Sequence, residues 1–129
     1  MMERFRTQDL RAFVTLDGSE VRELVAYRNS TAKNQSLAEA RLRPGQSTRL
    51  HLHRTSEEIY YILSGMGKMR IGGQVDSVEP GTAVLIPPGV PHQITNTGTN
   101  LLIFLCICAP PYEHEDTVLL DEPVDAQNA

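Results

Sequence analysis

Short apolar segments alternate with turn residues along the whole chain, and this pattern predicts an all-β protein. Turns such as Asp17-Gly18 and Pro80-Gly81 recur at close intervals, and the segments between them run for four to ten residues, as strands do. No amphipathic helix longer than two turns is evident, and only the first ten residues leave room for a short one. Many short strands at such spacing are typical of a closed barrel or a sandwich.

The predicted strands lie on both sides of a central hairpin. The hairpin turns at Gly72-Gly73, where two residues without a Cβ can adopt positive φ. The other strands are predicted at residues 21–27, 36–43, 59–63, 82–86 and 101–108. Because residues 82–86 and 101–108 are continuously apolar, we expect them to be buried on both faces of a sheet.

Length and charge restrict the organisation and the partners. The 129 residues predict one domain over residues 1–129. With 12 basic and 16 acidic residues the formal charge is −4, so we expect no nucleic-acid partner. Six acids and no Lys or Arg follow from Tyr112 onward, which predicts an acidic C-terminal tail from about residue 110.

Neither export nor a membrane partner is predicted. The N-terminus is charged and lacks the apolar core of a signal peptide, and the longest apolar run has nine residues, whereas a membrane helix needs about 20. The two cysteines, Cys106 and Cys108, would share a face of one strand and diverge too far for an easy disulfide. They could serve as soft metal ligands, but two small buried residues are the favoured interpretation. We therefore expect a cytoplasmic protein.

Three residues in one predicted hairpin have the chemistry of metal ligands. His51 and His53 are separated by one residue, so in a strand they project to the same face about 6.6 Å apart. Glu58 opens the next strand after a short polar link and can face the same interior. Two imidazoles and a carboxylate suit a borderline divalent metal.

A fourth ligand candidate follows a rigid turn. Pro87-Pro88-Gly89 ends a predicted strand, and the turn delivers His92 to the start of the next one. Each piece alone is a weak signal, because a His-x-His pair is more often two exposed histidines and Glu58 alone a solvated strand end. Two ordered motifs in one short chain rarely coincide by accident.

Together the two clusters resemble the cupin superfamily. The first cupin motif, G-x5-H-x-H-x(3,4)-E-x6-G, is met by Gly45, His51, His53, Glu58 and Gly65. The second, G-x5-P-x-G-x2-H-x3-N, is met by Gly81, Pro87, Gly89, His92 and Asn96. The resemblance implies a double-stranded β-helix, or jelly roll, with a motif core over residues 45–96. It also implies a metal held inside the barrel by His51, His53, Glu58 and His92.

Three nitrogens and one carboxylate oxygen would leave two positions open on an octahedral ion, as in a catalytic site. The donors suit Fe(II), Mn(II), Ni(II), Co(II) or Zn(II) alike. Strand parity from Glu58 directs Tyr60 inward, and parity from His51 directs Arg49 toward the barrel mouth. Tyr60 could donate a hydrogen bond to a bound substrate and Arg49 could pair with its carboxylate, while the ordinary alternatives are a core tyrosine and a solvated arginine.

The favoured function is therefore that of a small metal-dependent enzyme acting on a small polar organic molecule. Oxygen-dependent cleavage and isomerase or decarboxylase chemistry both stay open, and Glu58 would tune the charge of the metal in either. The alternative is a non-catalytic module that binds or senses a small ligand. The resemblance also implies a homodimer, in which a second subunit covers open edges near the predicted strand at residues 21–27.

Overall fold

The computed structural model of the protein describes residues 1–120. Helical structure in this range is limited to two single-turn 3-10 helices, Thr7–Asp9 and His114–Asp116. The eleven strands are β1 Phe13–Val14, β2 Glu20–Val25, β3 Ser36–Leu42, β4 His51–His53, β5 Glu57–Ser64, β6 Gly67–Ile71, β7 Gln74–Val78, β8 Ala83–Ile86, β9 His92–Asn96, β10 Leu102–Ala109 and β11 Thr117–Leu119. No helix within residues 1–120 is long and apolar enough to cross a membrane.

The strands form two antiparallel sheets. The larger has the order β1-β2-β3-β10-β5-β8, and the smaller has the order β11-β4-β9-β6-β7. Strands distant in sequence are neighbours in both sheets, as in a jelly roll. The prediction of an all-β double-stranded β-helix is confirmed.

Alternation along β5 shows how the sequence builds the barrel interior. Glu58, Tyr60 and Ile62 are buried, whereas Ile59 and Tyr61 between them are exposed, as the period of two in a strand requires. The inner faces of both sheets bury the core, whose largest apolar members are Tyr60, Phe104, Leu42, Ile62, Ile86, Ile94 and Leu102. The cavity described below opens into this interior.

Two expectations about burial and pairing are corrected. The run 82–86 is not buried on both faces, because β8 is an edge strand in which Leu85 is 56% exposed while Ile86 is buried. An apolar run alone does not show whether a sheet face meets the interior. The strand predicted at residues 21–27 is also not an open edge, since β2 pairs with β1 on one side and β3 on the other.

The C-terminal segment contributes to the smaller sheet. The acidic region that we predicted as a tail contains β11, which pairs with β4 so that Thr117 lies opposite His53 and Leu119 opposite His51. Residues 121–129, which hold three of the six acids of that region, lie outside the described residues.

Candidate metal centre

Three buried histidines converge inside the barrel. His51 and His53 point inward from β4, and the pairing of β4 with β9 sets His92 directly opposite His51. Their exposed fractions are 1%, 4% and 0%, and one ring nitrogen of each lies within 4.8 Å of the others. The three histidines could therefore hold a metal ion between them.

Each imidazole is oriented through its Nδ1 atom. Nδ1 of His51 lies 2.6 Å from the Arg49 carbonyl oxygen, and Nδ1 of His92 lies 3.0 Å from the Val90 carbonyl oxygen. A carbonyl only accepts, so the tautomer that fits both contacts carries its proton on Nδ1 and keeps the lone pair on Nε2. His53 follows the same pattern, because the Thr117 hydroxyl donates to the Glu113 carbonyl and thus accepts from Nδ1 of His53 at 3.1 Å.

Glu58 approaches two of the histidines from the facing sheet. Its Oε1 lies 3.1 Å from Nε2 of His53 and 3.5 Å from Nε2 of His92, and its Oε2 accepts a hydrogen bond from the Cys108 thiol at 3.3 Å. Burial raises the pKa of the Glu58 carboxyl, but its contacts with His53 and His92 outweigh burial and lower the pKa to about 2. Glu58 is therefore ionised at neutral pH.

Two buried polar atoms beside the histidines lack hydrogen-bond partners, and their chemistry fits a cation. Glu58 Oε1 and His92 Nε2 are buried and make no hydrogen bond, a costly arrangement in a protein interior. A carboxylate oxygen and imidazole lone pairs facing one another are all acceptors, so a positive ion between them satisfies every one. Burial lowers the pKa of His53, but the adjacent Glu58 carboxylate outweighs burial and raises it.

The cavity beside the histidines is small. Its volume is about 50 Å³, and on this measure about 10–15 Å³ accommodates one water molecule. A few waters or a compact organic molecule would fill it. The lining residues are Phe13, Thr15, Asp17, Ser19, Val21, Glu23, Ser36, Ala38, His51, His53, Glu58, Tyr60, Phe104, Cys106, Cys108, Tyr112 and Thr117.

The other two predicted site residues differ in their positions. Tyr60 is buried in the cavity wall, and its ring is nearly perpendicular to that of His92 at a centroid distance of 6.0 Å. Burial raises the pKa of Tyr60 well above the usual range, so its hydroxyl stays a donor. Arg49 is half-buried just before β4, and its backbone N–H donates to the Asp17 carbonyl. Arg49 is not among the described residues that line the cavity.

Both cysteines are free and line the cavity. Cys106 is opposite Tyr60 and Cys108 is opposite Glu58 in the register of β10 and β5. Burial raises the pKa of both thiols, so they are protonated at neutral pH. Cys108 acts as a hydrogen-bond donor to a ligand candidate, a role that the sequence pattern alone did not indicate.

Three further residues around the site were not predicted from the sequence. Asp17 lies in the turn between β1 and β2 with its Oδ2 3.7 Å from Nε2 of His51. Tyr112 lies against His53 at a ring-centroid distance of 5.8 Å, and burial raises its pKa to about 12. Asp116 binds the link between β4 and β5. None belongs to a recurring motif, and each reaches the site through contacts between segments distant in sequence.

Asp116 fixes the link that connects His53 to Glu58. Its carboxylate accepts hydrogen bonds from the Thr55 N–H at 2.9 Å, the Thr55 hydroxyl at 2.8 Å and the Ser56 N–H at 3.0 Å. Its carbonyl oxygen accepts from the N–H of Arg54 at 2.8 Å. A single residue of the C-terminal segment thus sets the conformation of the three-residue turn between the strands that carry His53 and Glu58.

Comparison with known proteins places these features in context. The family model described as "Cupin domain" matches residues 38–108. The uncharacterized protein MJ1618 of Methanocaldococcus jannaschii is 46% identical over 112 residues, which span 87% of this chain and 90% of that protein.

Two further relatives have descriptive names. The oxalate-binding protein of Thermotoga maritima is 34% identical over 88 residues, or 68% of this chain and 73% of that protein. Among solved structures, the polyketide cyclase RemF from Streptomyces resistomycificus superposes with a TM-score of 0.81 at 25% sequence identity, covering 97% of this chain and 89% of that one.

Proposed function

This chain belongs to the cupin family, and we propose that it is a metal-dependent enzyme acting on a small polar organic molecule. The observation that carries the proposal is the cluster of acceptors: three buried histidines and Glu58, with His92 Nε2 and Glu58 Oε1 left without hydrogen bonds. His51, His53, His92 and Glu58 would hold the ion. Fe(II), Mn(II), Ni(II), Co(II) and Zn(II) all accept these donors.

The ion would supply Lewis acidity toward a bound molecule, or oxygen chemistry if it is iron. The chain's own groups would position that molecule. The Tyr60 hydroxyl, kept protonated by burial, would donate a hydrogen bond to it, and Phe104, which packs against Tyr60 at 4.8 Å between ring centroids, would hold that ring in place. We assign Arg49, beside the site, to a substrate carboxylate. The small cavity excludes bulky substrates.

A non-catalytic binding module is the second candidate. It is favoured by the name of the Thermotoga maritima relative, an oxalate-binding protein that is 34% identical to this chain. The same metal and cavity would then retain a small ligand without converting it. The two candidate functions predict the same metal ligands and the same kind of bound small molecule. They differ only in whether that molecule is converted.

The decisive experiment is metal analysis of the natively expressed protein followed by a substrate screen with defined metals. The Fe(II), Mn(II) and Zn(II) forms are each incubated with small enediols, diketones, phenols and organic acids, with and without oxygen. Oxygen consumption by the Fe(II) form alone would assign dioxygenase chemistry, and anaerobic conversion by the Mn(II) or Zn(II) form would assign isomerase or decarboxylase chemistry. Saturable binding without conversion would support the binding module, and metal-independent turnover would reject both candidates.

We also propose that the protein is a cytoplasmic homodimer. Its two free thiols fit a reducing compartment. The outer face of the larger sheet is apolar, since the strand register aligns Leu37, Ile107, Ile59 and Leu85 in one row across four strands. Tyr61, 39% exposed, extends this face in the next row. Monomers rarely expose contiguous apolar patches of more than a few hundred Å².

A second copy of this chain is the occupant that fits the face. Toward β2 and β3 the apolar rows end in charges of both signs, with Arg41 and Glu39 paired at 2.7 Å and Arg22 opposite Glu39. A two-fold interface presents the same patch from both subunits. The apolar rows of one subunit would then pack against those of the other. The positive and negative side chains at the border of the patch would lie opposite charges of the other sign.

A further inference from the structure

The three buried histidines differ in what holds their Nδ1 atoms. For His51 and His92 the partner is the carbonyl oxygen of the residue two positions earlier in the chain. Such a partner is in place as soon as the local segment adopts its native conformation. For His53 the partner is the hydroxyl of Thr117, 64 positions later and on β11. The orientation of this one ring therefore depends on a segment distant in sequence.

The Thr117 hydroxyl is arranged to accept a hydrogen bond from His53. It donates its single proton to the Glu113 carbonyl at 3.1 Å, so its lone pairs remain for the Nδ1–H of His53 at 3.1 Å. His53 is only 4% exposed, and Thr117 lines the cavity beside it. The two contacts together fit the tautomer of His53 that leaves Nε2 free for a metal ion.

The backbone around Thr117 holds this hydroxyl in place. The pairing of β11 with β4 sets Thr117 directly opposite His53. On one side of Thr117, the Asp116 carboxylate accepts hydrogen bonds from the N–H groups of the turn at residues 55–56. On the other side, the Leu120 N–H donates to the backbone just before β4 at 2.9 Å. The position of the hydroxyl relative to the ring is therefore fixed from both directions.

We propose that Thr117 is a positioning residue that orients His53 for metal binding, an inference that rests on the proposed function of the three histidines as a metal site. By accepting from Nδ1, the hydroxyl would keep the proton on that side of the ring and direct Nε2 toward the other two histidines. Such outer partners also make an imidazole a better ligand. Metal affinity would then depend on the docking of β11, although this strand of three residues supplies no ligand to the site.

The test compares Thr117→Val with Thr117→Ser and Thr95→Val. Valine matches threonine in shape but lacks the hydroxyl, whereas serine keeps it. Thr95 lies on β9 of the same sheet, and its exposed hydroxyl bonds to that of Ser47 at 2.6 Å, so Thr95→Val removes a side-chain hydrogen bond outside the cavity. Metal-free proteins are titrated with Zn²⁺ in competition with a chelator. Proton NMR of the Zn²⁺-loaded, ¹⁵N-labelled proteins then follows the Nδ1–H protons of the three histidines.

We expect Thr117→Val to weaken Zn²⁺ binding by about 10- to 100-fold, the usual effect of losing an outer partner of a metal ligand. Its His53 Nδ1–H proton should shift and exchange faster with solvent, while those of His51 and His92 should keep their wild-type signals. Thr117→Ser and Thr95→Val should match wild type in both measurements. Circular dichroism should be the same for all four proteins, because valine suits a strand as well as threonine does.

The outcomes separate this inference from the proposed function. If wild type does not bind Zn²⁺, or if His51→Ala binds as wild type does, the metal site is wrong and the inference fails with it. If binding depends on His51 but Thr117→Val keeps the wild-type affinity or the wild-type His53 signal, Thr117 does not position His53. Equal changes in all three Nδ1–H signals would show a general disturbance of the site and would also overturn the inference.

Wild type provides a second check that does not depend on the folding of any variant. In the Zn²⁺-loaded protein the Nδ1–H proton of His53 should be protected from exchange with solvent, because it is engaged by Thr117. Rapid exchange of this proton in wild type would contradict the proposed hydrogen bond and overturn the inference.

Discussion

Each histidine of the cluster directs Nε2 toward the other two because its Nδ1 is engaged by an oxygen behind it. We expect His51→Ala, His53→Ala and His92→Ala each to reduce metal affinity by more than about 100-fold, a larger loss than the removal of an outer partner produces. Strand content should be unchanged. Elemental analysis and circular dichroism of each variant measure the two quantities, with exposed His114→Ala as the control. Stoichiometric metal in all three variants would exclude this site.

At this scale the sequence was informative where residue type and strand parity agreed. His51, His53 and Glu58 face the interior as alternation required, and the turn before β9 delivers His92. Asp17 was overlooked because its neighbour Gly18 marks only a turn. Its approach to His51 depends on a hydrogen bond from Arg49 across a long stretch of sequence. No local pattern encodes such a contact.

Among the elements, the link between β4 and β5 should make stability depend on pH. Burial raises the pKa of Asp116, but hydrogen bonds from Thr55 and Ser56 outweigh it and hold the pKa below its usual range. Because the folded-state pKa is the lower one, this stabilisation is complete above the unfolded value of about 3.9 and is lost as pH falls through the folded value. Asp116→Ala should lower the free energy of unfolding by about 1–3 kcal/mol at pH 7.

Urea denaturation of wild type and Asp116→Ala between pH 7 and pH 3 measures this effect. The difference between the two proteins should shrink toward the acid end of the range. Asp76→Ala, an exposed acid whose carboxylate bonds only to the next residue's N–H among the described contacts, is the control. A difference that stays constant with pH would contradict the assigned role of the carboxylate.

The turn between β5 and β6 requires glycine for two separate reasons. Gly65 has φ of +88°, and a Cβ there would overlap the Leu101 carbonyl oxygen and lie 2.8 Å from Cα of Leu102. Gly65→Ala should lower the free energy of unfolding by more than about 2 kcal/mol. Gly81 has φ of +90°, and nothing lies within 4 Å of a Cβ placed there. The stability lost in Gly81→Ala therefore measures the cost of the positive φ alone. Chemical denaturation measures both losses. Equal losses of unfolding free energy in Gly65→Ala and Gly81→Ala would show that the overlap of the new Cβ with the Leu101 carbonyl is relieved at no cost.

Strands were predicted correctly where turn residues are frequent and apolar and polar positions alternate clearly. The predictions failed where the burial or the existence of a strand depends on the strand beside it. The hairpin at Gly72-Gly73 and β10 are where the sequence placed them. For β8 an apolar run indicated burial on both faces, but its position at a sheet edge exposes Leu85. Strand β11 has three residues and exists through its pairing with β4, a contact that composition does not reveal.

For the whole molecule, the proposed dimer face can be tested with two matched substitutions. Leu85 is 56% exposed on β8 of the larger sheet, and Val75 is 55% exposed on β7 of the smaller one. Leu85→Glu should weaken dimerisation by at least about 100-fold, because a charge would be buried against an apolar surface. Val75→Glu should leave the dimer intact. Light scattering at micromolar concentrations measures both, and a wild type that is only 14.4 kDa would reject the dimer.

The placement of β10 between β3 and β5 has a consequence for how the chain reaches its native state. Cys108 at one end of β10 pairs with Ser36, far earlier in the chain, and with Glu58 on its other side. Chains dominated by such distant pairings fold in milliseconds to seconds, because the entropy cost of closing long loops comes before the stabilising contacts form. His92 and Glu58 come together only when both sheets have closed. A metal ion would then be captured late, and its uptake would report the completion of folding instead of its nucleation.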